Sequence, residues 1–343
     1  MKEAGKKSKG RVVARVFFVI GLIASVSIGS LAATVMHKSD SMLGLINYDK
    51  DSSLSEVDLS KYKLDKDTEV VNILLVGADK NNDEQNKKNV ERRSDSMMIA
   101  TMDIKHSKLK VTSLMRDMYV DIPGYGRNKL NAAYSFGGIK LLYKTLATNF
   151  GISMDGYAEV SFDAFVNVID QIGGVTLELT ESEAKNLNNT NYIKRKKYRN
   201  LKVGKQKLNG YQALGYCRIR HGKRMADGRL PGVYTASGKG DDYGRTERQR
   251  LTIEAILKKV KTMSPSEMLD LAQVVLPNVK TDISKKMIYS YITALIEMGT
   301  TELNQYAIPI ENSYHSEKIN GADCLVPDLD TNKAALKKFI FKS

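Results

Sequence analysis

The sequence predicts an α/β domain, in which helices cover a mixed β-sheet, preceded by one N-terminal transmembrane helix. Three observations predict this arrangement. Residues 16–36 form an uncharged apolar segment, and short β-branched, Leu-rich runs begin at residue 69. Stretches with helical spacing that end at glycine then alternate with these runs. Such alternation is typical of a sheet covered by helices.

The apolar segment is long enough to cross a membrane, because about 20 residues at about 1.5 Å each span a hydrocarbon core. Residues 1–15 form a basic tail, so the positive-inside rule places them in the cytoplasm and the remainder outside the cell. The alternative is a cleavable signal peptide, since Ser30, Ala32 and Ala33 near its end are small. A secretory apolar core is usually only about 7–15 residues long, which favours a retained anchor.

The rest of the chain divides into three parts. Residues 37–68 are polar and predict an extracytoplasmic linker. Residues 69–310 predict the main folded domain, and residues 311–343 a C-terminal extension without assignable elements. The two cysteines, Cys217 and Cys324, predict isolated buried thiols rather than a disulfide framework.

The predicted elements follow in order. Strands are expected at residues 69–76, 96–102, 108–114 and 175–179. Helices are expected at residues 138–149, 163–172, 209–216, 245–262 and 284–298. A further helix begins at Pro265, because Ser264 and Glu267 form a capping box around it. Residues 181–207 are polar and basic and predict a surface excursion.

Two carboxylates stand at neighbouring strand ends. Asp79 follows the first predicted strand and Asp95 precedes the second. Two carboxylates at one sheet edge can hold a hard divalent cation, and Mg²⁺ is the natural candidate where a substrate phosphate supplies further oxygens. The alternative is that each is an ordinary turn or capping residue.

Arginines recur near the ends of predicted elements. They are Arg93, Arg116, the pair Arg218 and Arg220, and the pair Arg245 and Arg248. The planar guanidinium group matches phosphate oxygens, so the clustering predicts a pocket for a polyanion. The alternative is a set of solvated surface charges. The net charge of +14 agrees with phosphate, nucleic acid or anionic polymers as ligands and does not choose among them.

Asp241 and Asp242 lie directly before Arg245. An ionised carboxylate there could accept a proton from an attacking hydroxyl group, or it could cap the helix that begins near Arg245. Both roles can hold at once, because two carboxylates are present.

Seven motifs together resemble the LytR-CpsA-Psr family, in family order. They are NILLVGAD (72–79), RSDSM (93–97), SLMRD (113–117), KLNAAYSFGG (129–138), DQIGGV (170–175), NGYQALGYCRIR (209–220) and DYGRTERQ (242–249). The stretch His221–Gly240 is longer than expected for the family, and it either contacts glycan or is a tolerated loop.

The resemblance implies a three-layer catalytic domain and a phosphotransferase. The enzyme would move a glycan phosphate, from teichoic acid, capsular or other secondary wall polysaccharides, from undecaprenyl diphosphate onto peptidoglycan in a Gram-positive cell envelope. Asp79 and Asp95 would bind Mg²⁺, while Arg116, Arg218, Arg220 and Arg245 would hold the diphosphate. Asp242, or Asp241 beside it, would be the base, and Arg93, Lys129, Asn131 and Arg248 would contribute to substrate binding.

The polyprenyl tail requires an apolar tunnel, for which the helices near residues 138–149, 163–172 and 251–260 are candidates. The sequence also fits two other functions. With water as acceptor the site would be a polyprenyl diphosphate phosphatase, and without chemistry the chain would be a wall-associated regulatory or binding protein. Nucleic acid is not expected as a partner, because the domain is predicted to lie outside the cell.

Overall fold

The computed structural model describes residues 47–49, 54, 57–78, 94–260, 262–298, 300 and 302–342. The predicted basic tail and the transmembrane helix at residues 16–36 lie outside these residues. Within the described part of the chain, every helix is too short or too polar to cross a membrane.

Thirteen strands are found in the described residues. They are β1 Asn47–Tyr48, β2 Val70–Ala78, β3 Ser94–Asp103, β4 Lys108–Leu114, β5 Tyr119–Ile122, β6 Gly126–Lys129, β7 Gly156–Ser161, β8 Val175–Leu179, β9 Gly204–Leu208, β10 Val279–Thr281, β11 Leu303–Ile308, β12 Tyr314–Ile319 and β13 Ala322–Pro327. The eight α-helices of the same part are α1 Leu130–Phe150, α2 Phe162–Gln171, α3 Glu181–Asn189, α4 Gly210–Arg218, α5 Asp241–Val260, α6 Pro265–Val275, α7 Lys285–Met298 and α8 Leu329–Phe341.

Seven strands form one mixed sheet in the order β1-β10-β7-β2-β3-β4-β11. β2 runs parallel to β7 and antiparallel to β3, and β4 runs antiparallel to β3 and parallel to β11. Ala78 pairs with both Ser94 and Ser161, so β2 and β7 end where β3 begins. We call this end of the sheet the Ala78 edge. The predicted mixed sheet is confirmed.

Helices cover both faces of the sheet, which confirms the predicted α/β class. On one face, α2, α4 and α5 pack through Ile169, Tyr216 and Ile256. On the other face, α1 and α8 pack through Leu142 and Leu336. Burial of one such aliphatic side chain contributes about 1.5–3 kcal/mol, so each layer is held mainly by its apolar face.

The local signals place several boundaries closely. Ser264 and Glu267 exchange the reciprocal hydrogen bonds of a capping box before α6, as predicted. Gly151 ends α1 in the left-handed conformation. The predicted start of α1, at residue 138, is too late by two turns, because Gly137 and Gly138 leave the helical conformation and interrupt the apolar period.

Residues 181–207 are more ordered than a surface excursion. Thr180 and Glu183 form a capping box at the start of α3, and β9 pairs with β8. Leu187 and Ile193 are fully buried. Lysine is frequent in this segment, so the sequence pattern does not reveal the few apolar residues that face the core.

The two ends of the described chain also contact the domain. In the predicted linker, Leu54 is buried and its amide donates to Asp282 Oδ2 at 2.7 Å. In the predicted C-terminal extension, β12 and β13 form a hairpin and α8 packs against α1. Lys110 Nζ donates to the carbonyl of Ile340 at 2.8 Å, which ties α8 to the sheet.

Candidate active site

A cavity of about 310 Å³ lies between the sheet and the helices of the α2, α4 and α5 layer. Its walls are mostly apolar. The lining side chains include Leu75, Val76, Met98, Ala158, Val160, Phe162, Phe165, Val168, Tyr192, Leu214, Ile253 and Ile256. Of the three helical regions expected to form a tunnel, those at residues 163–172 and 251–260 line this cavity. The helix at residues 138–149 does not, because α1 packs on the opposite face of the sheet.

Three arginines predicted to hold a diphosphate line the same cavity. They are Arg116, which follows β4, Arg218 at the end of α4, and Arg245 in the first turns of α5. The guanidinium carbon of Arg218 lies 5.1 Å from the ring centre of Phe162, a cation–π contact that holds this side chain against the cavity wall. The wall of the cavity is thus mostly apolar and carries three cationic side chains.

Asp242 connects two of the predicted arginines. Arg245 Nη2 donates to Asp242 Oδ2 at 2.9 Å, and Arg220 Nε lies 3.2 Å from Oδ1 of the same carboxylate. Only 9% of the Asp242 side chain is exposed. Asp242 therefore fixes the relative position of Arg220 and Arg245 in a partly dehydrated environment, where charge interactions are strong.

Asp117 forms a second carboxylate bridge at the same place. Lys129 Nζ donates to its Oδ1 at 2.8 Å, and Arg220 Nη2 lies 3.5 Å from its Oδ2. Burial alone would raise the pKa of Asp117, but the bond from Lys129 and the charges of Arg116, Lys129 and Arg220 outweigh it, so the pKa lies below its usual value. Asp117 is a site residue that the sequence prediction did not select, although its Arg-Asp motif was recognised.

Asp241 occupies a different environment from its neighbour. Its side chain is 72% exposed, and His221 Nδ1 lies 2.9 Å from its Oδ1. Its backbone φ is +46°, a conformation that is uncommon outside glycine. The two carboxylates are therefore not equivalent: Asp242 lies among the arginines, whereas Asp241 lies at the solvent-exposed rim.

Arg248 is placed in the core and not on the cavity wall. Its side chain is completely buried and donates to Glu183 Oε1 at 2.7 Å, to the carbonyl of Ile219 at 3.2 Å and to the carbonyl of Val233 at 2.8 Å. These contacts occupy the guanidinium group. The structure thus places Arg248, expected to bind substrate, in the interior, where it contacts the segment between Arg218 and Arg220.

Asn131 and Gln249 contribute through less direct contacts. The backbone amide of Asn131 donates to the carbonyl of Arg116 at 3.2 Å, so Asn131 supports Arg116 through its main chain. Gln249, which was not predicted, lines the cavity, accepts from Ser96 Oγ at 3.1 Å and donates to the carbonyl of Cys217 at 3.3 Å.

Cys217 and Cys324 are buried free thiols, as predicted.

The predicted metal ligands are described only in part. Asp79 and Arg93 lie outside the described residues, and Asp95 belongs to β3 with its side chain outside them. The backbone around them is defined: Ala78 pairs with Ser94, and Gly77 and Ser96 line the cavity. Elsewhere in the described residues, His, Cys, Asp and Glu side chains form no group of three or more that could hold a metal.

Comparisons with known proteins agree on one family. The profile of the LytR_cpsA_psr family matches residues 33–339. Regulatory protein MsrR of Staphylococcus aureus strain Mu50 is 32% identical over 274 residues, covering 79% of this chain and 74% of MsrR. Polyisoprenyl-teichoic acid--peptidoglycan teichoic acid transferase TagU of Enterococcus faecalis is 30% identical over 304 residues, covering 86% and 88%.

A solved structure shares the fold. It is the Bacillus subtilis protein YwtF (TagT) with bound octaprenyl pyrophosphate lipid, which superimposes with a TM-score of 0.58 at 20% identity. The match covers 86% of this chain and 99% of that one.

Proposed function

The chain belongs to the LytR_cpsA_psr family, and from this membership we propose that it is a phosphotransferase of wall polymers. It transfers a glycan phosphate from an undecaprenyl diphosphate carrier onto a hydroxyl group of peptidoglycan. The donor glycan is a teichoic acid, a capsular polysaccharide or another secondary wall polysaccharide. TagU, whose name states the teichoic acid reaction, supports the reaction class.

One observation carries this proposal: the apolar cavity is lined by Arg116, Arg218 and Arg245. A ligand that fits must combine a long apolar chain with a compact anionic group, which is the chemistry of a polyprenyl diphosphate. The volume of about 310 Å³ is at the lower end of ligand pockets, which usually enclose roughly 300–1,000 Å³. The octaprenyl pyrophosphate bound to TagT is a ligand of this kind.

The arginines perform the electrostatic part of the reaction. An acceptor oxygen attacks the glycan-side phosphorus, the bond from that phosphorus to the bridging oxygen breaks, and undecaprenyl phosphate leaves. Negative charge is spread over the phosphoryl oxygens throughout, so fixed positive groups stabilise the transition state. Asp242 holds Arg220 and Arg245 in fixed positions, which reduces the reorganisation needed during the reaction.

The proton of the acceptor hydroxyl passes to a carboxylate of the Asp241 and Asp242 pair. Asp242 is the nearer to the arginines that hold the diphosphate, and Asp241 is the more accessible to a large acceptor. We propose Asp242 as the base and retain Asp241 as the alternative. Substitution of each by Asn separates them, because loss of a general base lowers the rate by about 10²–10⁴-fold.

Asp79 and Asp95 are proposed as ligands of Mg²⁺. The Ala78–Ser94 pair supports this site, because Asp79 follows Ala78 in the sequence and Asp95 follows Ser94. The nearby residues Gly77 and Ser96 line the cavity. Two carboxylates with phosphate oxygens form the oxygen-rich environment that Mg²⁺ prefers. When bound, the ion would supply further positive charge to the diphosphate. Arg93, Lys129 and Asn131 are proposed to support substrate binding around this group.

The location follows from the same reaction. We propose a single-pass protein of the cell membrane, with residues 16–36 as its retained anchor and the catalytic domain outside the cytoplasm. The lipid carrier presents its head group at the outer membrane face. A tethered domain meets this substrate at a high effective concentration, whereas a freely diffusing one does not.

A direct assay tests the proposal. Full-length protein is mixed with a polyprenyl diphosphate glycan, Mg²⁺ and peptidoglycan oligomers, and the covalent adduct is measured. Arg218→Ala and Arg245→Ala are expected to lose at least tenfold in rate, while Arg195→Ala, an exposed arginine over Tyr211, retains it. Wild-type rates in both site variants contradict the proposal. Release of free glycan phosphate without adduct favours a polyprenyl diphosphate phosphatase, and binding without turnover favours a regulatory protein such as the name MsrR states.

A further inference from the structure

The segment between Arg220 and Asp241 contains a well-formed hairpin. His221 and Gly232 form an antiparallel bridge, and the amide of Gly222 donates to the carbonyl of Pro231 at 2.7 Å. Near the tip, the amide of Met225 donates to the carbonyl of Arg229 at 2.9 Å. These contacts give residues 223–230, which we call the hairpin tip, a defined conformation.

The hairpin tip is both apolar and cationic. Met225 and Leu230 are 49% and 43% exposed. Lys223, Arg224 and Arg229 are exposed beside them, and Asp227 is the one carboxylate of the tip. Apolar side chains flanked by an excess of Lys and Arg match the interface of an anionic lipid bilayer, where the apolar groups enter the head-group region and the cations meet its charge.

The hairpin begins beside the candidate active site. Arg220 immediately precedes it and contacts Asp117 and Asp242, and His221 at its base contacts Asp241. These residues lie at the Ala78 edge, because Asp117 follows the end of β4, which runs in the same direction as β2. A surface that receives the hairpin tip therefore also lies close to the cationic site.

The direction of β1 places Asn47, the residue that follows the predicted tether, toward the same edge. β10 is antiparallel to β7, with Val279 opposite Val160 and Thr281 opposite Ala158. β1 is parallel to β10, so Asn47, its first residue, lies at the end of β1 that faces the end of β7, which is the Ala78 edge. Ten residues, 37–46, separate Asn47 from the predicted anchor and span at most about 35 Å.

From these observations we infer that the hairpin tip is a membrane-interface contact that orients the Ala78 edge toward the lipid surface. The inference rests on the proposed membrane location but not on the transfer reaction. Met225 and Leu230 favour lipid over a wall polymer, because a polyanionic glycan would engage the cations and leave two apolar side chains in water. The tether limits the distance to the membrane, and the hairpin sets the orientation.

The absence of tryptophan from the sequence provides a direct test. In Leu230→Trp the only indole lies at the hairpin tip. In the matched control Met287→Trp, the indole lies at an exposed position of α7. The chain enters α7 from the end of β10 that points away from the Ala78 edge. Each full-length variant is reconstituted into phosphatidylglycerol vesicles that contain lipids brominated near the head group. Thermal melting identical to that of the wild type shows that each variant is folded.

The expected result for Leu230→Trp is indole emission at shorter wavelength and several-fold stronger bromolipid quenching than for Met287→Trp. Adding Lys223→Glu should reduce the quenching at position 230 in anionic vesicles, whereas Lys286→Glu on α7 should leave it unchanged. Equal quenching at both positions overturns the inference. Protection of the indole by soluble wall polymer, with no quenching by lipid, also overturns it and assigns the hairpin to glycan. Because no diphosphate substrate is present, failure here is distinct from failure of the proposed reaction.

Discussion

Arg248 Nε donates to Glu183 Oε1 at 2.7 Å in the protein interior, where the exposed fractions of the two side chains are 0% and 1%. The same guanidinium donates to the carbonyl of Ile219, the residue between Arg218 and Arg220. The pair thus links the helix layer to the backbone that carries two arginines of the candidate active site.

Replacement of Glu183 by Ala should destabilise the protein by about 3–5 kcal/mol, because it leaves the Arg248 charge buried without its partner. Chemical denaturation measures the change in free energy of unfolding. Glu317→Ala, which removes an exposed carboxylate paired with His315, is the matched control and should change stability by less than about 1 kcal/mol. A similar small change for both variants would show that the buried pair does not have this role.

Replacement of Lys129 by Met should make stability less dependent on pH in the acid range. The pKa of Asp117 is lower in the folded protein than in the unfolded chain, where it is about 3.9. The Asp117 carboxylate therefore stabilises the folded protein fully at pH values above about 3.9, and this stabilisation is lost as the pH falls through the folded-state pKa. Lys129 is one cause of this lowering. The stability difference between wild type and Lys129→Met should therefore be largest near neutral pH and shrink below about pH 3.9.

Denaturant midpoints measured across this pH range test the prediction. Lys108→Met, a substitution at the half-buried start of β4 away from Asp117, serves as the control. A difference between wild type and Lys129→Met that stays constant with pH would mean that Lys129 does not act through Asp117.

How far these features could be predicted depends on the range of the interactions. The cap at Ser264 and Glu267 and the strands around β2 were predictable, because they depend on neighbouring residues and on apolar period. The Glu183–Arg248 pair joins residues 65 positions apart, and Glu183 stands in a segment whose charges resemble a solvated surface. Its motif predicts a substrate-binding role for Arg248, whereas its burial depends on the packing of α3 against α4 and on the hydrogen bond to Glu183.

Replacement of Ile253 by Asn should weaken binding of long polyprenyl diphosphates more than that of short ones. Ile253 lines the apolar cavity, and a polar group there opposes burial of the tail. The loss should be roughly 1.4 kcal/mol, or about tenfold in Kd, for an undecaprenyl ligand. Titration calorimetry with farnesyl and undecaprenyl diphosphate provides an internal control. Equal losses for both ligands would place the tail elsewhere.

Cys217 should not react with iodoacetamide in the folded protein at pH 8. Burial raises the pKa of its thiol to about 12, and the hydrogen bond to Thr252 only partly opposes this effect, so the reactive thiolate is scarce. Mass spectrometry of labelled protein should find modification of Cys217 only after denaturation. Rapid labelling of native protein would contradict the buried placement of this residue on the cavity wall.

If the cationic cavity supports transfer of a glycan phosphate, the glycan-side phosphorus must move from the lipid carrier to peptidoglycan. Full-length protein is given undecaprenyl diphosphate glycan labelled at the glycan-side phosphorus, together with Mg²⁺ and peptidoglycan oligomers. We expect the label in the covalent adduct and the release of unlabelled undecaprenyl phosphate in equal amount. Label found in released undecaprenyl diphosphate or in free glycan phosphate, with no labelled adduct, would contradict this transfer.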